Sequence, residues 1–204
     1  MKLKPLIFLS KNVVEKGDLT SEGMLAYVAI RSVCQKDVPL HLNADFLCSL
    51  FISGKDYIEN RKLKDKMNRG IQELIDKNMI VPIYRLNKTS LVVNCDNLYV
   101  DTENGELFVK IFLADVKTLM QLNNIQHDKL LTYLVFLSSS INSRDHVGFT
   151  GFDTLAGKAQ IARQTTYRFN ELLEKENIVC FNYNKTPVRY CISKDVKNIK
   201  NFCF

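Results

Sequence analysis

The sequence lacks paired cysteines. Its six cysteines are irregularly spaced and none forms a C-x-x-C pair, so the usual patterns of a zinc site or a redox motif are missing. Most of them lie within apolar runs, as Cys48 and Cys180 do. We therefore expect buried free thiols in a reducing cytoplasm, and neither a metal nor a cofactor.

The chain also has no segment typical of secretion or membrane insertion. The apolar residues 6–9 are too few for a signal peptide, and the charged Lys11 and Glu15 follow them without a cleavage site. No run approaches the roughly 18 apolar residues of a membrane span. We expect a cytoplasmic protein with no membrane partner.

Enzyme signatures are missing as well. The sequence contains no P-loop, no dinucleotide-binding glycine pattern, no nucleophile elbow and no H-E-x-x-H. Its three histidines, His41, His127 and His146, are scattered and show no metal-ligand or nucleophile pattern. These absences favour a protein that is not an enzyme.

The composition indicates a folded and mildly basic chain. It has 204 residues, 46% of them hydrophobic, with a net charge of +6 and a pI near 8.9. This length fits one large domain or two small ones. The positive charge modestly favours acidic partners, such as nucleic acid or a membrane surface.

The chain repeats itself. Residues 19–33 align with residues 125–139, and Tyr27 coincides with Tyr133. Both segments open with a polar turn that can cap a helix and continue with apolar residues at helical spacing. The other matched apolar positions are Met24 with Leu130, Val28 with Leu134, and Ile30 with Phe136.

A second block repeats with an offset of 98 residues, between residues 66–81 and 164–179. Between the two blocks, residues 45–48 resemble residues 153–156, and the first copy carries about ten extra residues at 51–61. Matching order across three blocks indicates an internal repeat. The identical pairs of the second block are Glu73 with Glu171, Leu74 with Leu172, Lys77 with Lys175, Ile80 with Ile178, and Val81 with Val179.

Strand-like runs flank the helical blocks. Residues 5–9 precede the first copy, and residues 106–113 precede the second. Each copy ends in a predicted hairpin, with turns at 87–89 and 184–187. We therefore expect an α+β protein with domains at 1–100 and 101–204, joined by the polar segment 96–105. The second domain ends in a basic tail that carries Lys194, Lys197 and Lys200.

Each copy thus reads as strand, helix, short helix, turn, longer helix and hairpin. Residues 154–179 resemble the winged helix-turn-helix family, although the glycine usual in its turn is missing and Gly157 comes early instead. The resemblance implies two tandem winged-helix domains, each with a three-helix core and a small antiparallel wing. The features that carry it fall on Leu155, Ala156, Arg163, Thr165, Leu173, Glu174 and Ile178.

The predicted long helix of the second copy can bury Ile161, Phe169, Leu172 and Leu173 on one face. Its other face then presents base-reading side chains, because arginine pairs with guanine and glutamine with adenine in the major groove. Thr165 caps the helix or contacts a phosphate. We expect DNA contacts in the second copy from Lys158, Arg163, Gln164, Thr165, Tyr167, Arg168, Lys185 and Arg189.

The first copy supplies charge but fewer base-reading groups. At the positions that the 98-residue offset makes equivalent, and at its predicted wing tip, we expect contacts to phosphates. The residues concerned are Lys62, Lys66, Arg69, Arg85 and Lys88.

Tandem winged helices without an added ligand-binding domain resemble the replication initiators and replisome organisers of plasmids and phages of low-GC bacteria. The resemblance implies sequence-specific binding of double-stranded DNA and recruitment of a helicase or helicase loader. A transcriptional regulator and a protein-interaction module are the alternatives. The first copy could also bind a partner protein or a second protomer, as in a homodimer, while the second reads DNA.

Overall fold

The computed structural model describes residues 5–52, 61–100, 105–142 and 146–194. It is a mixed α+β protein with small antiparallel sheets, as expected from the sequence. Most of the predicted insertion, part of the linker and the basic tail beyond Lys194 lie outside the described residues. None of the described helices is both long and apolar enough to span a bilayer.

The chain forms two compact units, Met1–Leu131 and Thr132–Phe204. In chain order, the described elements of the first unit are β1 (Leu6–Ser10), α1 (Lys11–Lys16), α2 (Ser21–Val33), β2 (Leu40–Asn43), α3 (Ala44–Ser49), α4 (Arg61–Asp76), β3 (Val81–Asn87), β4 (Ser90–Asn94), a 3-10 turn (Asp96–Leu98), β5 (Phe108–Phe112) and α5 (Leu113–Met120). Helix α6 (His127–Ser139) crosses the division between the units. The second unit continues with α7 (Phe152–Lys158), α8 (Arg163–Lys175), β6 (Val179–Asn182) and β7 (Arg189–Ile192).

The described strands of the first unit form two antiparallel sheets. Strand β5 pairs with β1, so that Leu6 lies opposite Phe112, and β4 is the central strand between β2 and β3. The β1–β5 pair places the opening strand of the second copy in the first unit. The two units are divided at 131/132, whereas the sequence predicts a boundary at 100/101.

Helices α2 and α6 confirm the first repeat block. Each has 13 residues, and their starts differ by the same offset as Tyr27 and Tyr133. Both tyrosines are fully buried. The Tyr27 hydroxyl accepts a hydrogen bond from the Ser10 backbone N–H at 2.9 Å, whereas the Tyr133 hydroxyl donates to Asn170 Oδ1 at 2.7 Å.

The predicted register of the second block is wrong by one residue. The buried residues of α4 and α8 differ by 99 in number, and so do Asn78 and Asn177, which follow these helices with left-handed backbones. One residue rotates a helix by about 100°, so the matched glutamates and lysines lie on different faces. The buried pairs are Met67 with Thr166, Gly70 with Phe169, Ile71 with Asn170, and Leu74 with Leu173.

Helices α2 and α4 approach closely at glycine. A Cβ added to Gly70 would lie 2.1 Å from the Glu22 carbonyl oxygen and 2.9 Å from the Ala26 Cβ. The Glu73 carboxylate of α4 accepts a hydrogen bond from the Thr20 N–H at 3.0 Å and so ties α4 to the start of α2. The crossing therefore fixes α4 against α2 through backbone contact and one anchored carboxylate.

This crossing predicts that Gly70→Ala destabilises the protein, although alanine is the better helix former. Relieving the clash requires the helices to move apart, at a cost of about 1–3 kcal/mol typical of overpacking. This cost opposes the gain in helix propensity of about 1 kcal/mol. Urea unfolding of Gly70→Ala measures the net change, which we expect to be a loss of stability.

Gly157→Ala is the matched control. Gly157 is also helical, in α7, and nothing lies within 4 Å of the position of its Cβ. Its replacement should raise the free energy of unfolding by up to about 1 kcal/mol. If Gly70→Ala raised the free energy of unfolding, as Gly157→Ala should, the close α2–α4 approach would be contradicted.

Candidate nucleic-acid interface

Helices α7 and α8 are joined by a tight turn in the second unit. Gln160 has a left-handed backbone with φ of 51°, so it occupies the conformation that the expected glycine would supply. The Ile161 N–H donates to the Ala156 carbonyl at 3.0 Å. Ala156 and Ala159 are buried, and their small side chains permit the close approach of the two helices.

The outward face of α8 is placed as the sequence predicts. Arg163, Gln164, Tyr167 and Arg168 are exposed, while Phe169 is buried. The inward face holds two buried polar residues that the apolar pattern does not predict, Thr166 and Asn170, while Leu172 and Ile161 are only half-buried.

Thr165 does not cap helix α8. The N-cap residue is Ala162, which has no side-chain hydrogen bond to offer, and Thr165 lies within the first turn and is half-buried. The sequence places the helix start too late because threonine is a favoured N-cap residue, whereas alanine is not. The sequence prediction gave Thr165 two alternative roles, and of these only the phosphate contact is left.

The contacts of Arg163 with the described residues are solvent-exposed. Its Nε lies 3.1 Å from Asp153 Oδ1, with the two side chains 67% and 70% exposed, and its Nη2 donates to the Tyr167 hydroxyl at 3.3 Å. The hydrogen bond to Tyr167 and the charge of Asp153 raise the pKa of the guanidinium. Exposed ion pairs contribute little to stability, so Arg163 can exchange Asp153 for another anion at little cost.

The hairpin of the second unit carries further cations. Lys185 and Arg189 are exposed, as is Lys158 at the end of α7. In the same hairpin Asn182 is buried, and its Oδ1 accepts a hydrogen bond from the Asn184 N–H at 3.1 Å, which orders the turn. The second unit therefore presents cations on α7, α8 and the hairpin.

Two predicted cations of the first copy are held by carboxylates of the chain. Arg69 donates two hydrogen bonds of 2.7 Å to Glu22, which lower the pKa of that carboxyl. Lys66 is half-buried and bonded to Asp128. The 98-residue offset makes Lys66 equivalent to the exposed Gln164, but in the structure it is equivalent to the half-buried Thr165.

Asp128 is the buried centre of this arrangement. Its side chain is 4% exposed and that of Lys66 is 27% exposed, and Ser21 donates to Asp128 Oδ2 at 2.7 Å. Burial alone would raise the pKa of Asp128, but the hydrogen bonds from Lys66 and Ser21 bring it below its ordinary value. The charge of Lys66 is thus compensated within the protein.

The sequence interpretation missed two amide side chains on α4. Asn68 and Gln72 line a cleft of about 320 Å³ together with Arg85, Lys88 and Thr89 of the first hairpin. Gln72 Nε2 also donates to Asp76 Oδ1 at 2.8 Å. Aligning the two copies by their buried positions would have paired Asn68 with Tyr167 and revealed this face.

Lys62, Arg85 and Lys88 are exposed, so the first copy retains cations at one end of α4 and on its hairpin. Strand β3 of that hairpin is exposed over its whole length and pairs with β4 along one edge. Its apolar side chains are about half exposed, from 45% to 54%; they are Val81, Ile83, Tyr84 and Leu86.

The arrangement can supply base-edge donors from α8 and phosphate contacts from both hairpins. The chain matches none of the protein families, curated proteins or solved structures with which it was compared.

Proposed function

We propose that the chain binds double-stranded DNA through two tandem winged helix-turn-helix domains, and that the second domain reads the base sequence. The exposed face of α8, with Arg163, Gln164, Tyr167 and Arg168 side by side, carries this proposal. An α-helix fits the major groove, where arginine forms bidentate hydrogen bonds with guanine and glutamine with adenine.

The electrostatics support this division of roles. Arg163 is paired only to an exposed carboxylate, which a phosphate or base can replace. In the first copy, Arg69 and Lys66 already hold carboxylates of the chain, and releasing Lys66 would break an ion pair whose carboxylate, that of Asp128, is buried. We therefore assign the phosphate contacts of this copy to Lys62, Arg85 and Lys88. The DNA major groove would then be faced by Asn68 and Gln72.

The biological process proposed first is replication initiation on a plasmid, phage or other mobile element, with a helicase or helicase loader as partner. This part rests on the family resemblance of the tandem arrangement. Transcriptional regulation is the alternative, since two domains in one chain can read two half-sites. Iterated DNA repeats beside the gene would favour the initiator.

Selection of bound sequences from a random duplex pool, at two salt concentrations, tests DNA binding. An enriched motif with affinity that falls steeply with salt is the expected outcome. If nothing is enriched and binding stays weaker than a Kd of about 10⁻⁴ M, the DNA-reading proposal fails.

Arg163→Ala and Arg168→Ala should each weaken binding to the selected motif by about 1–3 kcal/mol and relax specificity at one base position. Lys175→Ala, at the exposed end of the same helix, is the matched control and should leave specificity unchanged.

Lys62→Ala should instead weaken binding to all sequences alike and reduce the salt slope by about one. Competition binding with matched and mismatched duplexes measures these effects. Unchanged specificity in both arginine variants would remove α8 as the reader.

Strand β3 favours a second function, protein interaction by the first copy. An exposed strand edge with apolar side chains is a common place for another chain to add a strand. The first domain could thus hold a partner protein or a second protomer while the second domain binds DNA. Ile83→Lys should abolish that association and leave the selected DNA motif unchanged.

A further inference from the structure

Arg31 is a buried cation in the first unit, and its contacts with the described residues are to neutral groups. Its side chain lies in α2, and the residue is 5% exposed. Nε donates to the Phe8 carbonyl at 3.1 Å, Nη1 contacts Cys34 Sγ at 3.1 Å, and the guanidinium carbon lies 4.2 Å from the centre of the Tyr99 ring. No carboxylate in residues 5–52, 61–100, 105–142 or 146–194 forms an ion pair with it. A buried charge without a counter-charge is costly, and a guanidinium cannot lose its proton in proteins.

Arg31 lines a cavity of about 620 Å³ with otherwise mostly apolar walls. The β1–β5 sheet supplies Phe8 and Phe108, whose rings meet edge to face at 5.0 Å, and the ring of Tyr99, which contacts the guanidinium, also lines the cavity. Phe108 is about half exposed, so the cavity opens to solvent at this ring. Its volume is within the usual range of small-molecule sites.

The geometry points to a binding site for a small carboxylate with an apolar body, such as a medium-chain fatty acid. The carboxylate would pair with Arg31, since guanidinium and carboxylate form charge-assisted hydrogen bonds, and the apolar body would cover Phe8, Phe108 and Leu6. The walls offer one cation and apolar surface, which suits a single negative charge better than a phosphate. This site is independent of the proposed DNA interface.

Calorimetric titration of the full chain with decanoate tests the site, with decanol and inorganic phosphate as comparison probes. We expect saturable binding of one decanoate per chain, and binding of decanol and phosphate weaker by about tenfold or more, as loss of one charge-assisted hydrogen bond implies. Arg31→Met removes the charge but keeps the length of the side chain, and should weaken decanoate binding by a similar factor while leaving decanol unaffected.

Phe108→Glu is a second variant at an exposed position, in case Arg31→Met does not fold. The new carboxylate at the mouth of the cavity should repel decanoate, whereas Phe149→Glu, the same change at an exposed phenylalanine of the second unit, should not. The proposal is overturned if the wild type shows no saturable binding, if decanol binds as tightly as decanoate, or if phosphate competes equally well. Decanoate binding that survives both Arg31→Met and Phe108→Glu also overturns it.

Discussion

Phe169→Ala should lower the free energy of unfolding of the second unit by about 3–5 kcal/mol, as expected for truncation of a buried phenylalanine. Phe169 is 2% exposed, and its ring centre lies 5.9 Å from that of the fully buried Tyr133. Together with the hydrogen bond from the Tyr133 hydroxyl to Asn170, this ring contact joins α8 to α6. A loss of this size is a large part of the total stability of a domain, which is about 5–15 kcal/mol.

The same truncation should impair DNA binding indirectly, since Arg168 precedes Phe169 on α8. Chemical denaturation, followed by circular dichroism, measures the loss of stability. Phe169→Leu keeps most of the buried volume and should cost less than Phe169→Ala. Phe149→Ala is the exposed control in the same unit and should leave stability nearly unchanged. If Phe169→Ala were as stable as the Phe149 variant, the inward face of α8 would be misassigned.

The sequence predicts most helices and strands because their apolar periodicity follows burial. Helices α4 and α8 are the clearest case, since their buried residues recur at spacings of three and four, whereas α2 buries every residue from Gly23 to Val33. The outward residues of α8 follow from the same argument. Local patterns of this kind need only one segment of the chain.

The register of the second block could not be obtained from identities. Glu73 and Glu171 are identical residues in the sequence alignment of the two copies. However, Glu73 accepts a hydrogen bond from Thr20 at the start of α2, while Glu171 is exposed. Burial constrains a helix face, whereas glutamate and lysine are tolerated at many exposed positions. The buried Gly70 and Phe169 are equivalent in structure yet differ greatly in size, so their correspondence is hidden in the sequence.

The sequence also does not predict which polar side chains pair with residues far away in the chain. Lys66 looks like one more cation in a basic run, and nothing near it in the chain indicates a partner 62 residues away. Arg31 is similarly concealed, because an arginine in an apolar helix gives no sign of whether it is exposed or buried. The assignment of cations to DNA or to the protein therefore requires the fold.

Asp128→Asn should destabilise the first unit by about 2–3 kcal/mol, somewhat less than the roughly 3–5 kcal/mol for breaking a fully buried ion pair, because Lys66 is partly exposed. The substitution removes the buried carboxylate to which the ammonium of Lys66 is bonded. Thermal or urea unfolding at neutral pH measures this loss. Asp153→Asn, which breaks the exposed pair with Arg163, is the control and should leave the free energy of unfolding unchanged.

The pH dependence of stability distinguishes this charge effect from a loss of packing. Because the pKa of Asp128 is lowered in the folded state, its contribution is present above the ordinary aspartate pKa of about 3.9 and is lost as the pH falls through and below that value. The difference in stability between wild type and Asp128→Asn should therefore shrink on acidification below about pH 4.

The double variant Asp128→Asn with Lys66→Met completes the test. If the cost of Asp128→Asn is that of an uncompensated cation, then removing the cation as well should recover much of the stability, since a buried ion pair can be replaced by apolar residues at little cost. Additive losses in the double variant would contradict the pairing. Recovery would also establish that Lys66 serves the fold, which leaves Lys62 and the first hairpin as the phosphate-binding cations of this copy.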